Sequence, residues 1–264
     1  MKALVLAAGL GTRLGPLTRH VPKPMLPIGG KPLLEHILEL LRQHRITDIA
    51  LNLHHRPDAI LHHFGSGEAW GVRLRYSYEA SLLGSAGTAL RQLTWVYPDP
   101  FMVYYGDVYS DLNLTELIEQ HRSSRALATI AVHQVDDPTR RGIVEFDNDG
   151  RARRFIEKPA ADQVFSNTNT KVHGVRSCWA NSGIYVLQPE VLRYVSDIPS
   201  DFGLDIFPRL LEAGQRIQVY PVHSTVIDIG TPENYQRAQQ LFPEPVTQAY
   251  LTRLKRVEIT TATA

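Results

Sequence analysis

A three-layer α/β fold, with helices on both faces of a mixed, mainly parallel sheet, is the architecture this sequence predicts. Three observations carry the prediction. Strand and helix patterns alternate through the first half of the chain. The chain opens on an apolar strand that breaks directly into a small-residue loop, Ala8-Gly9-Leu10-Gly11-Thr12-Arg13. And 264 residues, 43% of them hydrophobic, can bury the core of one large domain.

In chain order, Ala3 to Ala7 reads as a buried strand. Pro32 to His44 follows as a helix, with Leu33, Leu34, Ile37, Leu38, Leu40 and Leu41 on one face. Asp48 to Leu53 is a second strand, Pro57 to Phe64 a helix and Val72 to Tyr78 a third strand. A helix through Ala86 to Leu93 leads to a fourth strand, Phe101 to Tyr105. Leu114 to Ser124 is helical and Leu127 to Gln134 extended. The second half is less regular. Ile143–Phe146 and Ala152–Glu157 form a hairpin around the turn Asp147-Asn148-Asp149-Gly150. Strands at Gly183–Leu187 and Gln218–Pro221 flank a helix at about Leu204–Ala213. No internal repeat interrupts this order. Residues 1–243 read as one domain, and 244–264 as a short helical tail.

Charge narrows the function classes. With 28 basic against 27 acidic side chains, the formal charge of +1 leaves no broad cationic face for nucleic acid. Any anion site must be local. The single cysteine, Cys178, rules out an internal disulfide and cysteine metal cages. The opening apolar run is short for a signal peptide and is followed at once by Arg13, Arg19 and Lys23. No later run approaches the roughly 18–20 apolar residues of a membrane span. A cytoplasmic protein with no membrane partner is the expectation, and a homo-oligomer is compatible with it.

The stretch from Lys2 to Pro32 suits a polyphosphate. Glycines let backbone N–H groups approach phosphate oxygens with no Cβ in the way. Arg13 offers a planar fork and Lys23 a point charge. Pro22 and Pro24 fix the backbone around Lys23 and so aim its ammonium. A plainer reading is a tight strand-to-helix connection without a ligand. The dinucleotide fingerprint fits poorly, since Leu14 follows Gly9 and Gly11 where a glycine is needed. Its acid should end the second strand, which reads Asn52-Leu53-His54, whereas Glu35 falls on a helix. The P-loop pattern is absent. A phosphate loop of another kind remains the best local reading.

Open α/β sheets bind ligands at the carboxyl ends of their strands. Asp107 follows the strand Phe101–Tyr105 after one glycine, and Asp228 follows Val226-Ile227. Two carboxylates so placed can hold a hard cation such as Mg2+, or each can simply cap a turn.

These residues also carry a resemblance. LAAGLGTRLGPLT at 6–18, followed by VPKPMLPIGGKPLLEH at 21–36, resembles the signature of sugar-1-phosphate nucleotidylyltransferases, the NDP-sugar pyrophosphorylases. Further similar stretches are YGDVY at 105–109, RGIVEFDNDG at 141–150, FIEKPA at 155–160, NSGIYVL at 181–187 and DIGTPENY at 228–235. The resemblance spans residues 1 to about 240. Glu79 to Gly87 looks most like the mannose-1-phosphate guanylyltransferases and their heptose relatives.

The resemblance implies a Rossmann-like nucleotidyltransferase fold without the C-terminal β-helix of some relatives. It implies nucleotide contacts from Leu6, Ala7, Ala8, Gly9, Gly11, Thr12, Arg13, Lys23, Glu79, Gly84 and Asp107, with Arg13 and Lys23 catalytic. Asp107 and Asp228 become ligands of Mg2+. On the sugar side, Glu157 accepts hydroxyl hydrogen bonds, Lys158 pairs with the sugar phosphate, and Gly142 and Asn181 complete the pocket. The substrates are a nucleoside triphosphate, GTP by this resemblance, and a sugar 1-phosphate, with GDP-mannose as product.

Base choice adds a separate argument. Guanine presents N1–H and N2–H side by side; a carboxylate accepts both, and it has no donor for adenine's bare N1 or the carbonyls of uracil and thymine. Glu79 therefore reads as the guanine selector, with Gly84 allowing close base approach; a solvated Glu79 is the plainer reading. One departure from the family is the irregular, polar segment 164–180, which reads as a surface loop bearing on sugar choice. Alternatives stay open: a thymidylyl- or uridylyltransferase on glucose 1-phosphate, a heptose or cyclitol phosphate as acceptor, or a non-catalytic nucleotide-sugar-binding regulator. The pairs His54-His55 and His62-His63 read as ordinary histidines rather than metal ligands.

Overall fold

The computed structural model describes residues 1–160, 171–172, 175–176 and 178–242. The tail from 244 and most of the 164–180 segment lie outside the described residues. Lys2–Leu6 (β1) is the centre of the sheet, with Ala3, Leu4 and Val5 fully buried. It pairs in parallel with Asp48–Leu53 on one side and with Phe101–Tyr105 on the other. A strand buried on both faces must be apolar at nearly every position, which is why it carries no alternation. Arg73–Tyr78 extends the parallel set beyond Asp48–Leu53.

The other half of the sheet is mixed. Cys178–Leu187 runs antiparallel to Phe101–Tyr105 and to Ala128–Val135, and touches the hairpin strand Gly142–Phe146 at Ala180. Gly142–Phe146 and Ala152–Glu157 pair antiparallel, as the Asn/Asp/Gly turn predicts. Ile217–Pro221 closes this side, parallel to Ala128–Val135. The register of Cys178–Leu187 slips between Asn181 and Tyr185. Such an irregularity re-aims a side chain, and here it falls at a predicted site residue.

Helices cover both faces of the sheet over separate buried clusters. Leu33–Gln43 buries the six apolar residues of its predicted face. Leu114–Ser124 starts at Asn113, whose side chain accepts the Thr115 and Glu116 N–H groups. On the opposite face lie Gly84–Arg91 and Phe207–Glu212, the latter entered through a π-turn at Phe202–Ile206. The helix Pro232–Gln239 has no counterpart among the sequence expectations. Only Ala238 of it is buried, so it has almost no apolar period to read; its signals are Thr231, which caps the Asn234 N–H, and Pro232 in the first turn.

No β-helix follows the sheet among the described residues, and none of their helices is long and apolar enough to cross a membrane.

Candidate active site

Gly106 lets the chain leave the strand Phe101–Tyr105 close beside β1. Its N–H donates to the Leu6 carbonyl at 2.9 Å. Asp107 comes next, at the carboxyl edge of the sheet. Asp228 reaches the same edge by another route: Val226–Asp228 pairs antiparallel with Val108–Ser110, outside the main sheet. The Ile229 N–H donates to the Asp107 carbonyl at 2.9 Å, which locks the two segments together.

Lys23 lies against both carboxylates. Its ammonium is 2.5 Å from Asp107 Oδ2 and 3.6 Å from Asp228 Oδ1, on a side chain only 7% exposed. Arg13 arrives from the glycine loop. A Cβ on Gly230 would lie 2.8 Å from Arg13 Nη2, 2.8 Å from Asp228 Oδ1 and 3.1 Å from Lys23 Nζ, so glycine there leaves room for all three heads. Burial raises the Asp228 pKa, and the charge of Asp107 raises it further, against the pull of Lys23. Two acids held this close favour a cation between them.

Two cavities meet at this cluster. One, of about 400 Å3, is walled by Leu6, Ala7, Ala8, Gly9, Lys23, Glu79, Gly84 and Asp107. The other, of about 280 Å3, is walled by Arg13, Asp107, Gly142, Glu157, Lys158, Asn181 and Asp228. Asp107, Tyr105 and Asp201 belong to both walls. The structure thus sorts the sequence-predicted residues into two groups around a shared carboxylate. Gly11 and Thr12 line neither cavity. The Gly11 carbonyl is taken by the Thr18 hydroxyl at 2.8 Å and the Leu14 N–H at 3.0 Å. Arg13 turns toward Asp228, on the second cavity's side, rather than along the glycine loop.

In the second cavity Glu157 is half-buried and, among the described residues, accepts no hydrogen bond. A Cβ on Gly142 would come within 2.5 Å of Glu157 Oε2, so that glycine makes room for the carboxylate rather than simply offering backbone to a ligand. Burial raises the Glu157 pKa; Lys158 opposes this and Asp201 adds to it. Lys158 is exposed and adopts a left-handed φ of 48°. The Asn181 amide donates to the Tyr185 hydroxyl at 2.7 Å and accepts the Gly183 N–H at 2.9 Å.

One expectation about the first cavity needs correction. Glu79 is not solvated: it is 1% exposed, and three protein donors already occupy its carboxylate. Oε1 accepts from Asn52 and Thr88 and Oε2 from the Leu83 N–H, so a two-point grip on guanine would have to break existing bonds. Gly84 has a structural reason to be glycine apart from any approach of a base. Its φ is +75°, and a Cβ would lie 2.3 Å from the Ser200 carbonyl oxygen.

Sequence reasoning missed Asn52, Thr88, Tyr105, Asp201 and the cavity-lining Arg141. Asn52 did leave a signal, a polar residue at the carboxyl end of an otherwise apolar strand. The histidine pairs form no metal cluster: no group of three or more His, Cys, Asp or Glu suited to a metal occurs among the described residues.

Comparison with known proteins gives the family. The Nucleotidyl transferase family profile matches residues 2–244. A UTP–glucose-1-phosphate uridylyltransferase of Synechocystis is 36% identical over 252 residues, covering 90% of this chain and 62% of the relative. A probable mannose-1-phosphate guanylyltransferase of rice is 35% identical over 248 residues, covering 92% and 64%. The chain thus spans less than two thirds of either relative's length. Among solved structures, HddC of Yersinia pseudotuberculosis superposes with a TM-score of 0.76 at 26% identity, covering 92% of this chain and 99% of that one. A putative glucose-1-phosphate thymidylyltransferase of Bacillus anthracis gives 0.78 at 27% identity, covering 91% and 94%. On the profile match over nearly its whole length and these relatives, the chain belongs to the sugar-1-phosphate nucleotidylyltransferase family.

Proposed function

We propose that this protein transfers a nucleoside monophosphate from a nucleoside triphosphate to a sugar 1-phosphate, with GTP and mannose 1-phosphate as the pair. One observation carries the reaction: two cavities, one beside the glycine loop and one beside Glu157 and Lys158, share Asp107 as a wall. A reaction between two bound phosphates needs such a junction. The rice relative's name and the HddC structure complexed with GMP-PN favour guanine. The Synechocystis relative's name favours uridylyl transfer to glucose 1-phosphate, which is the second reading.

In the reaction an oxygen of the sugar phosphate forms a bond to the α-phosphorus. The bond from that phosphorus to the bridging oxygen breaks, and pyrophosphate leaves with the electron pair. The nucleophile is already anionic, so the residues need to position and neutralise rather than abstract a proton. Lys23, at the junction, holds the α-phosphate. Gly9, in the wall of the first cavity, presents backbone to the leaving pyrophosphate. Arg13, turned toward Asp228, neutralises charge where the two phosphates meet, and Lys158 aligns the attacking phosphate. Asp107 and Asp228 fit Mg2+, since two oxygen ligands stand with a cationic head already beside them. When bound there, Mg2+ would neutralise charge on the phosphates. We place the enzyme in the cytoplasm.

The test is pyrophosphate release with Mg2+, comparing GTP, dTTP, UTP, CTP and ATP against mannose 1-phosphate and glucose 1-phosphate. Turnover confined to GTP with mannose 1-phosphate supports the full reading. Turnover with dTTP or UTP instead keeps the reaction and overturns the substrate pair. No release from any pair defeats the reading for both sugars.

A further inference from the structure

The donors around Glu79 lead on to the phosphate loop. Glu79 follows the strand Arg73–Tyr78, Asn52 sits near the end of Asp48–Leu53, and Ala7 immediately follows β1. These are three neighbouring parallel strands, and their carboxyl ends are laced together. Glu79 Oε1 accepts from Asn52 Nδ2 at 3.0 Å and from the Thr88 hydroxyl at 2.6 Å. Asn52 Oδ1 in turn accepts the Ala7 N–H at 2.7 Å. Glu79, Asn52 and Thr88 are 1%, 4% and 1% exposed, so water does not substitute for any of these bonds.

Only one arrangement satisfies the set. The Ala7 N–H needs an acceptor, and Glu79 needs donors, so the Asn52 amide must present oxygen to the loop and nitrogen to the carboxylate. A glutamine at 79 fails in either orientation. With its nitrogen toward Asn52, donor faces donor unless Asn52 flips, and the flip then sets Asn52 Nδ2 against the Ala7 N–H. With its nitrogen on the other side, it meets the Leu83 N–H, which now donates to Oε2 at 3.2 Å.

We propose that Glu79 is a positioning residue for the phosphate loop. Through Asn52 it fixes the Ala7 amide, and with it the root of the Ala8–Arg13 turn, so it acts on the triphosphate whatever the base. This inference rests on the nucleotidyl-transfer reading above. It differs from a base-reading Glu79 in what a substitution does.

The experiment compares wild type, Glu79→Gln, Asn52→Leu and the double variant, measuring kcat and both KM values with every nucleotide the wild type accepts. The expected result is a rise of about tenfold or more in the nucleotide KM of each single variant, by a similar factor for all bases. The sugar phosphate KM stays unchanged, and the double variant is no worse than the singles, because both cut one chain. A loss confined to one nucleotide, or losses that multiply in the double variant, overturns the inference. If either substitution prevents folding, Thr88→Val and Thr88→Ser carry the test: valine raises the nucleotide KM for all bases, and serine, which keeps the hydroxyl, restores it. Failure of serine to rescue likewise overturns the inference. Wild type that turns over no nucleotide defeats the functional reading instead, which keeps the two failures distinct.

Discussion

Two glutamates, one buried and one half-buried, stand on either side of Asp107, and their surroundings differ in kind. Glu79 has three protein donors on its carboxylate. Glu157 has none among the described residues, and two glycines, Gly142 and Gly203, stand back to leave it space. Burying a carboxylate is costly unless donors surround it. Glu79 meets that cost inside the fold. Glu157 does not meet it among the described residues, and its pKa is raised by burial. A carboxylate satisfied by its own protein is architecture; one with no donor among the described residues is the better candidate for a ligand that brings hydroxyls.

That contrast breaks most sharply at Glu157. Glu157→Gln should lower kcat/KM for the sugar phosphate by roughly 10- to 100-fold, the worth of a charged hydrogen bond, while the nucleotide KM holds. The same variant should melt at a higher temperature than wild type near pH 7, because it removes a charge the fold does not satisfy. A thermal melt that falls instead would place Glu157 with Glu79 as a structural group.

The glycines sharpen the comparison at smaller scale. Gly84→Ala puts a Cβ into the Ser200 carbonyl from a left-handed backbone and should cost about 1–3 kcal/mol of stability, read by denaturant unfolding. Gly142→Ala has no left-handed φ to strain but collides with Glu157 Oε2. Its expected effect is about a tenfold rise in the sugar phosphate KM, since the carboxylate is displaced. The stability loss should be smaller than that of Gly84→Ala: the Cβ also meets the Phe155 ring at 2.9 Å but carries no left-handed backbone strain. Equal stability losses in the two variants would erase the distinction.

The same contrast explains what was legible beforehand. Helices with a full apolar face, such as Leu33–Gln43, and buried strands such as Asp48–Leu53 follow from local pattern, and the structure places them within a residue of expectation. Asp107 is legible because a strand, a glycine and an acid are adjacent in sequence. The route of Asp228 is not: its strand pairs with Val108–Ser110 across more than a hundred residues, and nothing local encodes that partner. Nor is the fate of Glu79. Whether a carboxylate faces ligand or protein depends on Asn52, Thr88 and Leu83, brought in from a strand, a helix and a turn. The segment around Ser200 and Asp201 lies in the same class; it docks on the start of Gly84–Arg91, where Asp201 accepts the Ser85 N–H at 3.0 Å. Residue type announced the chemistry, and tertiary pairing assigned it.

The smallest effect is a proton. Burial sets the Glu157 pKa above its ordinary 4.5 in the free protein. A group whose folded pKa is raised gives stability that is complete below its unfolded pKa and lost as pH rises through the folded one. The stability gap between Glu157→Gln and wild type should therefore be constant below that ordinary value, shift in the variant's favour as pH passes through the raised value, and stay level above it. Sugar hydroxyls donating to the carboxylate stabilise its charged form and pull the pKa back down. Binding sugar 1-phosphate within the window between those two pKa values must then release part of a proton from Glu157. Calorimetry in two buffers of different ionisation enthalpy reads that release, and subtracting the same measurement on Glu157→Gln removes the ligand's own phosphate ionisation. A difference near zero would mean that the hydroxyls go elsewhere in the cavity and that Glu157 is unsatisfied for some other reason.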